Sequence, residues 1–396
     1  MMHRLAERID RIPLSQTLAM AARERELRAT GQEIISLSLG QPDFNTPDFI
    51  KEAAKQAIDD NYSAYTPVNG YVELREAICE KLRRDNDLDY SPEQIVVSTG
   101  AKQSLANAIL ALVNSGDEVL LPTPYWVSYE ALIRLAKGVV VPITTTMAGQ
   151  FKLKPAQLEA AITAKTKLLI LNSPNNPSGA VYSHKEYQAL AEVLARYSQI
   201  QIISDEIYEH ILYEGEHCSI AGFEALYDRT ITVNGLSKAF AMTGWRLGYV
   251  AAPLEVAKAC NKIQGQITSG TNCIAQRAAI TALQAPVASI HYMVDAFSRR
   301  RDLVWEGLKH IPGLQVARPA GAFYFFPDVS SFFGKTIAGH KIGTATDFTE
   351  LLLSQAHVST VTGEAFGSPN NIRISYATSE ALLTEALRRI AVLVNH

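Results

Sequence analysis

Residues 167–208 read K-L-L-I-L-N-S-P-N-N-P-S-G-A-V-Y-S-H-K-E-Y-Q-A-L-A-E-V-L-A-R-Y-S-Q-I-Q-I-I-S-D-E-I-Y. Two short apolar runs, Lys167–Leu171 and Ile200–Ser204, bracket a stretch with helical periodicity, Lys185–Tyr197. Ser183 and Glu186 stand three apart where that helix should begin, the spacing of a capping box in which each side chain satisfies the other's free backbone N–H. A strand that is apolar on both faces belongs in a parallel sheet covered on both sides, and a parallel neighbour needs a crossover helix of about this length. The stretch therefore predicts one βαβ unit.

The same alternation extends in both directions. Strands are predicted at Ile95–Val97, Glu118–Leu121, Val139–Val141, Thr230–Val233 and Leu247–Val250, with helices at Lys102–Val113, Tyr125–Leu135 and Pro155–Ile162. Upstream, one helix is predicted from Thr46, with Pro47 in its first turn, and another over Val72–Arg84. From about Ala285 the texture changes to a long helix reaching about His310, short strands around Phe323–Phe326 and Ile372–Ser375, and a final helix, Glu380–Val394. We read residues 46–285 as a large α/β domain and 286–396 as a smaller α+β domain. Residues 1–45 then form an N-terminal arm that is also part of the small domain. The arm carries one helix ending near Gly31 and packs either on the second domain or on a partner subunit. The Gly-, Ser- and Thr-rich stretch Ser330–Thr346 is a mobile flap or a plain surface loop.

Composition narrows the function. The 396 residues carry 37 Lys+Arg against 40 Asp+Glu and are 47% hydrophobic, which describes an ordinary globular chain without the basic footprint of a nucleic-acid or membrane-surface binder. No apolar run approaches the length of a membrane span. The opening M-M-H-R-L-A-E-R-I-D-R lacks an apolar signal core, and Glu7 and Asp10 argue against a transit peptide. Cys79, Cys218, Cys260 and Cys273 form no disulfide or metal pattern, so a cytoplasmic protein with reduced thiols is expected.

Polar clusters follow the predicted strands: S-T-G-A-K-Q after Val97, P-T-P-Y-W after Leu121, N-S-P-N-N-P-S-G after Leu171, D-E-I-Y after Ser204 and N-G-L-S-K after Val233. Ligands in open α/β sheets bind beyond the carboxyl ends of the strands, so these five loops should converge on one cleft. Gly100 and Ala101 open a helix whose free N–H groups suit an anion, although neither a P-loop nor a dinucleotide fingerprint is present. Lys102 in that first turn opposes the helix dipole, an odd placement unless an anion lies near. Lys238, among small and apolar residues in S-K-A-F-A-M-T-G-W-R, should lose its proton more easily than a surface lysine and could attack a carbonyl. Asp205 ends an apolar strand, where a carboxylate is costly without a cation; capping the turn is the alternative. Tyr208, Asn176 and Trp126 are unremarkable one at a time.

Together the motifs N-N-P-S-G, D-E-I-Y, S-K-A-F-A-M-T-G-W-R and N-I-R-I-S-Y-A resemble those of class I aminotransferases of the aspartate aminotransferase group, pyridoxal-phosphate enzymes of fold type I, from about Leu5 to the C-terminus. The resemblance implies a mostly parallel seven-stranded sheet in the large domain, pyridoxal 5'-phosphate as cofactor, and a homodimer. It implies that Lys238 holds the cofactor and then serves as general base and acid, that Asp205 sits against the ring nitrogen, and that Tyr208 and Asn176 bond the phenolic oxygen. Trp126 would stack on the ring. Gly100, Ala101, Ser237 and Arg246 would hold the phosphate, with Lys102 in the same loop and Tyr65 of the partner subunit completing the cup. Many relatives carry serine three residues before the lysine, where this chain has Gly235, so the cup has one hydroxyl fewer.

For substrate, the resemblance implies that Arg373 grips the α-carboxylate beside Gly40, with Trp126 and Asn176 also in reach, and that Lys102 takes a second carboxylate. Thr17 in L-S-Q-T-L-A matches the threonine of prephenate-accepting members, with Leu14 where many have proline. The implied activity is ping-pong transamination of aspartate, glutamate and their oxo acids, extending to prephenate. Alternatives on the same fold are an aminotransferase for aromatic amino acids or alanine and a carbon–sulfur lyase; a non-enzymatic module of a transcription regulator would need a DNA-binding domain, for which the chain has little room.

Overall fold

The computed structural model describes residues 5–10, 12 and 16–395; Leu14 lies outside them. The chain enters through helix α1 (Gln16–Ala29) and the two-residue strand β1 (Ile35–Ser36), followed by α2 (Asp48–Asp59) and α3 (Val72–Asn86). Strand and helix then alternate: β2 (Ile95–Ser98), α4 (Ala101–Leu112), β3 (Glu118–Thr123), α5 (Ser128–Leu135), β4 (Val139–Thr144), α6 (Pro155–Ala161), β5 (Thr166–Asn172), α7 (His184–Leu194), β6 (Gln201–Asp205), α8 (Glu224–Tyr227), β7 (Thr230–Gly235) and β8 (Gly248–Ala251). These seven strands, β2 to β8, form one sheet in the order β2-β8-β7-β6-β5-β3-β4. β8 runs antiparallel to both its neighbours, and the other pairs are parallel. The capping box at Ser183 and Glu186 is formed.

Burial on both faces explains the unbroken apolar runs. Along β3 and β5 alternate residues feed opposite cores: Val119, Leu121, Leu168 and Ile170 pack with α4, α5 and α9 (Leu254–Ile267), whereas Leu120, Leu169 and Leu171 pack with Leu158 of α6 and Tyr187, Leu190 and Leu194 of α7. α9 and the following α10 (Cys273–Gln284) were not anticipated from sequence. The inner face of α10 is Ala275, Ala278, Ala279 and Ala282, small residues that seat it closely against α2 and α3 but give little apolar periodicity. The helix expected from Tyr125 starts only at Ser128, because Tyr125 N–H bonds the Phe366 carbonyl and holds the preceding loop extended.

The remaining elements are α11 (His291–Lys309), β9 (Tyr324–Phe325), the hairpin of β10 (Thr336–Ile337) and β11 (His340–Lys341), α12 (Ala345–Gln355), β12 (Val358–Ser359), β13 (Val361–Thr362), β14 (Ile372–Ser375) and α13 (Glu380–Asn395). They share a core with Ile35 and Leu37 of the arm, and β1 pairs in parallel with β12, so the arm docks on the C-terminal part of its own chain. The stretch 330–346 contains the β10–β11 hairpin, fastened by buried Ile337 and Ile342. All four cysteines are free, and among the described residues no helix is long and apolar enough to cross a membrane.

Candidate active site

The carboxyl ends of β5, β6 and β7, the start of α4 and the loop before α5 border a cavity of about 350 Å³, closed from the other side by α1, the segment after β1, and β14. Its lining includes Thr17, Gly40, Ala101, Lys102, Trp126, Asn176, Asp205, Tyr208, Ser237, Lys238, Arg246 and Arg373. Gly100 lies directly behind the lining, against Arg246. Tyr65 does not line it and stands 99% exposed.

Lys238 follows β7 and donates through Nζ to the Gly40 carbonyl at 2.5 Å, 5.8 Å from the centre of the Tyr208 ring. Burial, joined by the positive charges of Arg373 and Arg246, pulls its pKa down to about 8. Asp205 ends β6, buried and, among the described residues, outside any salt bridge. Tyr129 O–H donates to Oδ2 at 2.6 Å and the Ile207 N–H to Oδ1 at 3.2 Å. Burial nevertheless pushes the carboxyl up to about 6, against those two hydrogen bonds. Of the two readings offered by sequence, both hold in part: among the described residues Asp205 has no salt bridge, Lys238 lies near enough to favour its charged form, and Oδ1 bonds the turn that follows. Beneath that turn Glu206 accepts from Ser204, Ser219 and His217, and Glu209 pairs with Lys81, which fastens the segment carrying Asp205 and Tyr208.

Asn172 ends β5 level with Asp205 and orders the N-N-P-S-G loop: its Nδ2 donates to the Asp205 carbonyl at 2.9 Å and its Oδ1 accepts the Asn176 N–H at 2.8 Å. Asn176 Oδ1 then accepts Arg373 Nη1 at 3.0 Å, and Nη2 donates to the Ser38 carbonyl at 2.6 Å. The guanidinium lies 4.7 Å over the Tyr324 ring and 5.1 Å over Phe366, leaving buried Nε without a partner. Tyr208 and Tyr324 hydroxyls meet at 2.8 Å, and burial raises the Tyr208 pKa well above its ordinary value.

At the start of α4 the Gln103 N–H already bonds the Gly100 carbonyl at 2.9 Å, while the N–H groups of Ala101 and Lys102 precede the first intrahelical bond. Gly100 has φ +82°, and a Cβ there would come within 2.3 Å of Arg246 Nη2; one on Gly248 would come within 2.2 Å of the Ala101 nitrogen. The turn is thus pressed between β8 and a guanidinium, room that only glycine leaves. A Cβ on Gly235 would meet the Leu247 carbonyl at 2.8 Å, so the hydroxyl expected in relatives has no space here without a shift of β8. Lys102 sits exposed at the mouth with Nζ 4.9 Å over the Trp126 ring; surrounding protein and Arg246 lower its pKa. Among the described residues none of Lys102, Lys238, Arg246 and Arg373 is in a salt bridge, and Asp205 is the one carboxylate in the lining. Such a cavity attracts an anion with more than one charged group.

Sequence reasoning missed Tyr129, Asn172 and Tyr324. Tyr129 lies one helical turn beyond Trp126, and Asn172 closes a predicted strand, so position relative to flagged residues was the available signal.

Comparison with known proteins agrees with this geometry. The family described as aminotransferase class I and II matches residues 32–390. The aspartate/prephenate aminotransferase of Cereibacter sphaeroides is 49% identical over 98% of this chain and 97% of its own length. A Petunia hybrida relative, named bifunctional aspartate aminotransferase and glutamate/aspartate-prephenate aminotransferase, is 46% identical over 98% of this chain and 82% of its own. Among solved structures, the aspartate aminotransferase of Rhizobium meliloti superposes with a TM-score of 0.96 at 45% identity, covering 99% of each chain. That of Thermus thermophilus with maleate superposes at 0.93 and 42% identity, covering 99% of this chain and 100% of the other.

Proposed function

The chain belongs to the class I and II aminotransferases, and from that premise we propose that it moves the amino group between aspartate or glutamate and their oxo acids, and from such donors to prephenate. Enzymes of this family use pyridoxal 5'-phosphate, which when bound supplies a sink for the electrons of the bond broken at the substrate Cα. The cavity fits that group: a buried carboxylate outside any salt bridge among the described residues suits a protonated nitrogen, and a glycine turn at a helix start beside Arg246 suits a phosphate.

In this reading Lys238 holds the cofactor and afterwards takes the proton from the amino acid's Cα, returning one to the oxo acid's carbon in the reverse half-reaction. Its lowered pKa suits both directions near neutral pH. Asp205, steadied by Tyr129, keeps a proton on the ring nitrogen, while Tyr208 and Asn176 donate to the phenolic oxygen and Trp126 covers the ring. Gly100, Ala101, Lys102, Ser237 and Arg246 bind the phosphate end. Arg373, already turned by Asn176 and Ser38, takes the α-carboxylate beside Gly40. The observation that carries the substrate class is the pair of cations outside any salt bridge, Arg373 and Lys102, in one cavity, which suits two carboxylates; maleate, held in the Thermus structure, has two. Thr17 at the mouth is the residue for prephenate's farther carboxylate.

Two further parts belong to the proposal. The working form is a cytoplasmic homodimer, supported by the bare Tyr65 ring, which suits the phosphate cup of the partner's site, and by the free thiols. The chain divides at about residue 285 into a large and a small domain, supported by a core built mostly of C-terminal residues and the arm, which meets the large domain at Tyr208 and Ile211.

A panel of oxo acids tested with aspartate and glutamate decides the matter. Ping-pong exchange with oxaloacetate, 2-oxoglutarate and prephenate is expected; exchange confined to aromatic amino acids or alanine, or sulfide release from a thioether substrate, would overturn the specificity.

A further inference from the structure

We propose that Glu24, which touches neither cofactor nor substrate, is a positioning residue that sets how the cavity reads the far end of a dicarboxylic substrate. The proposal rests on the reading above in which Thr17 meets prephenate.

α1 has 14 residues, of which only Met20 and Glu24 are buried. Met20 joins Ile34 and Leu353 in a small apolar cluster, so much of the helix's grip on the fold must come from the carboxylate. Glu24 Oε2 accepts from Ser36 Oγ at 2.8 Å, Ser359 Oγ at 2.9 Å and Ser38 Oγ at 3.5 Å, and Oε1 accepts from Arg28, Nε at 3.1 Å and Nη2 at 2.9 Å. Ser36 belongs to β1 and Ser359 to β12, so one buried carboxylate pins the helix to a parallel strand pair. A carboxylate out of water is tolerable only with donors of this number, which makes the arrangement specific to one docked pose.

That pose bears on the cavity chiefly at its Thr17 end. Thr17, Met20 and Glu24 are spaced i, i+3 and i+7, one face of the helix, and Thr17 lies about 10 Å along the axis from Glu24 at the mouth. On the other side, Ser38 gives its hydroxyl to Glu24 and its carbonyl to Arg373 Nη2. The 3.5 Å contact to Ser38 is the longest that Glu24 makes, and Arg373 is held independently by Asn176, so Glu24 governs the Thr17 end of the cavity rather than the guanidinium.

The test uses holoenzyme carrying Glu24→Gln or, as a milder variant that removes the β12 bond to Glu24 and a 3.5 Å contact to Ser36, Ser359→Ala, alone and combined with Thr17→Val. Glu24→Gln should lower kcat/KM for prephenate about tenfold, mainly through KM, while kcat with aspartate and 2-oxoglutarate stays within about twofold. In the Thr17→Val background it should add no further loss on prephenate, because the contact it positions is already gone. Hydrogen exchange over residues 16–29 should quicken while residues 101–112 stay unchanged. Equal losses on both substrates, additive losses with Thr17→Val, or unchanged prephenate kinetics in both variants overturn the proposal. Wild-type enzyme that never turns over prephenate overturns the substrate reading and this proposal together, whereas active wild type with unaffected variants overturns this proposal alone.

Discussion

Replacing Asp205 by asparagine should stabilise the cofactor-free protein while crippling the enzyme. Asn keeps the shape of the side chain and an acceptor for Tyr129 O–H or Ile207 N–H, but removes a charge that is 4% exposed and, among the described residues, outside any salt bridge. The folded carboxyl is raised from 3.8 to about 6. A raised acid contributes stability that is fully present below pH 3.8 and lost as pH climbs through about 6. The whole displacement corresponds to about 3 kcal/mol, of which roughly half has been lost at pH 5 and nearly all by pH 8. Groups beyond its reach titrate alike in the two proteins, so the difference isolates this carboxyl together with its coupling to Lys238, whose pKa falls further once the negative charge is gone and which therefore shifts the difference in the same direction. Urea unfolding of cofactor-stripped wild type and Asp205→Asn at pH 5 and pH 8 should show the variant's relative stability growing by about 1–1.5 kcal/mol toward the higher pH. An identical difference at both values would refute the view that Asp205 is held ionised at a cost. In the loaded enzyme, loss of the one lining carboxylate should reduce kcat on the order of a hundredfold or more with a smaller change in cofactor affinity, since the phosphate contacts survive.

Lys238→Ala should still take up pyridoxal phosphate through the α4 turn and Arg246, seen by equilibrium dialysis, yet show no turnover and none of the bleaching that glutamate causes in wild type. Thr17→Val should lower efficiency with prephenate by roughly one to two powers of ten, the equivalent of about 1.5–3 kcal/mol, and leave oxaloacetate nearly unchanged, whereas Lys102→Ala should harm both in the same kinetic assay. Mixing inactive Lys238→Ala with an impaired Tyr65→Phe protein should restore activity through hybrid dimers; a fully active monomer at low concentration would exclude shared sites.

The sheet was legible because its strands are buried on both faces: runs such as L-L-I-L and I-Q-I-I-S cannot be anything amphipathic, and the polar clusters at their ends stand out by contrast. For the same reason Asp205, Lys238 and the Gly100 turn stand out in the sequence, each being a polar feature where an apolar strand stops, whereas Asn176 was named only through the family resemblance. α10 escaped notice because an inner face of alanines packs closely without the large apolar residues that make periodicity visible.

What local sequence could not hold is contact between residues far apart in the chain. Asn176 and Arg373 meet across 197 positions, Tyr129 and Asp205 across 76, and Glu24 and Ser359 across 335. Sequence by itself determined which side chains were available and at which strand ends they would stand, since backbone pattern and burial are local properties of short segments. The tertiary structure alone decided the sheet order, the turning of Arg373 by Asn176 and Ser38, the hydrogen bond from Tyr129 that supports Asp205, and the docking of α1 through a buried glutamate. Those depend on which surfaces meet once the cores close, and a hydrogen bond between two loops leaves no trace in the periodicity of either.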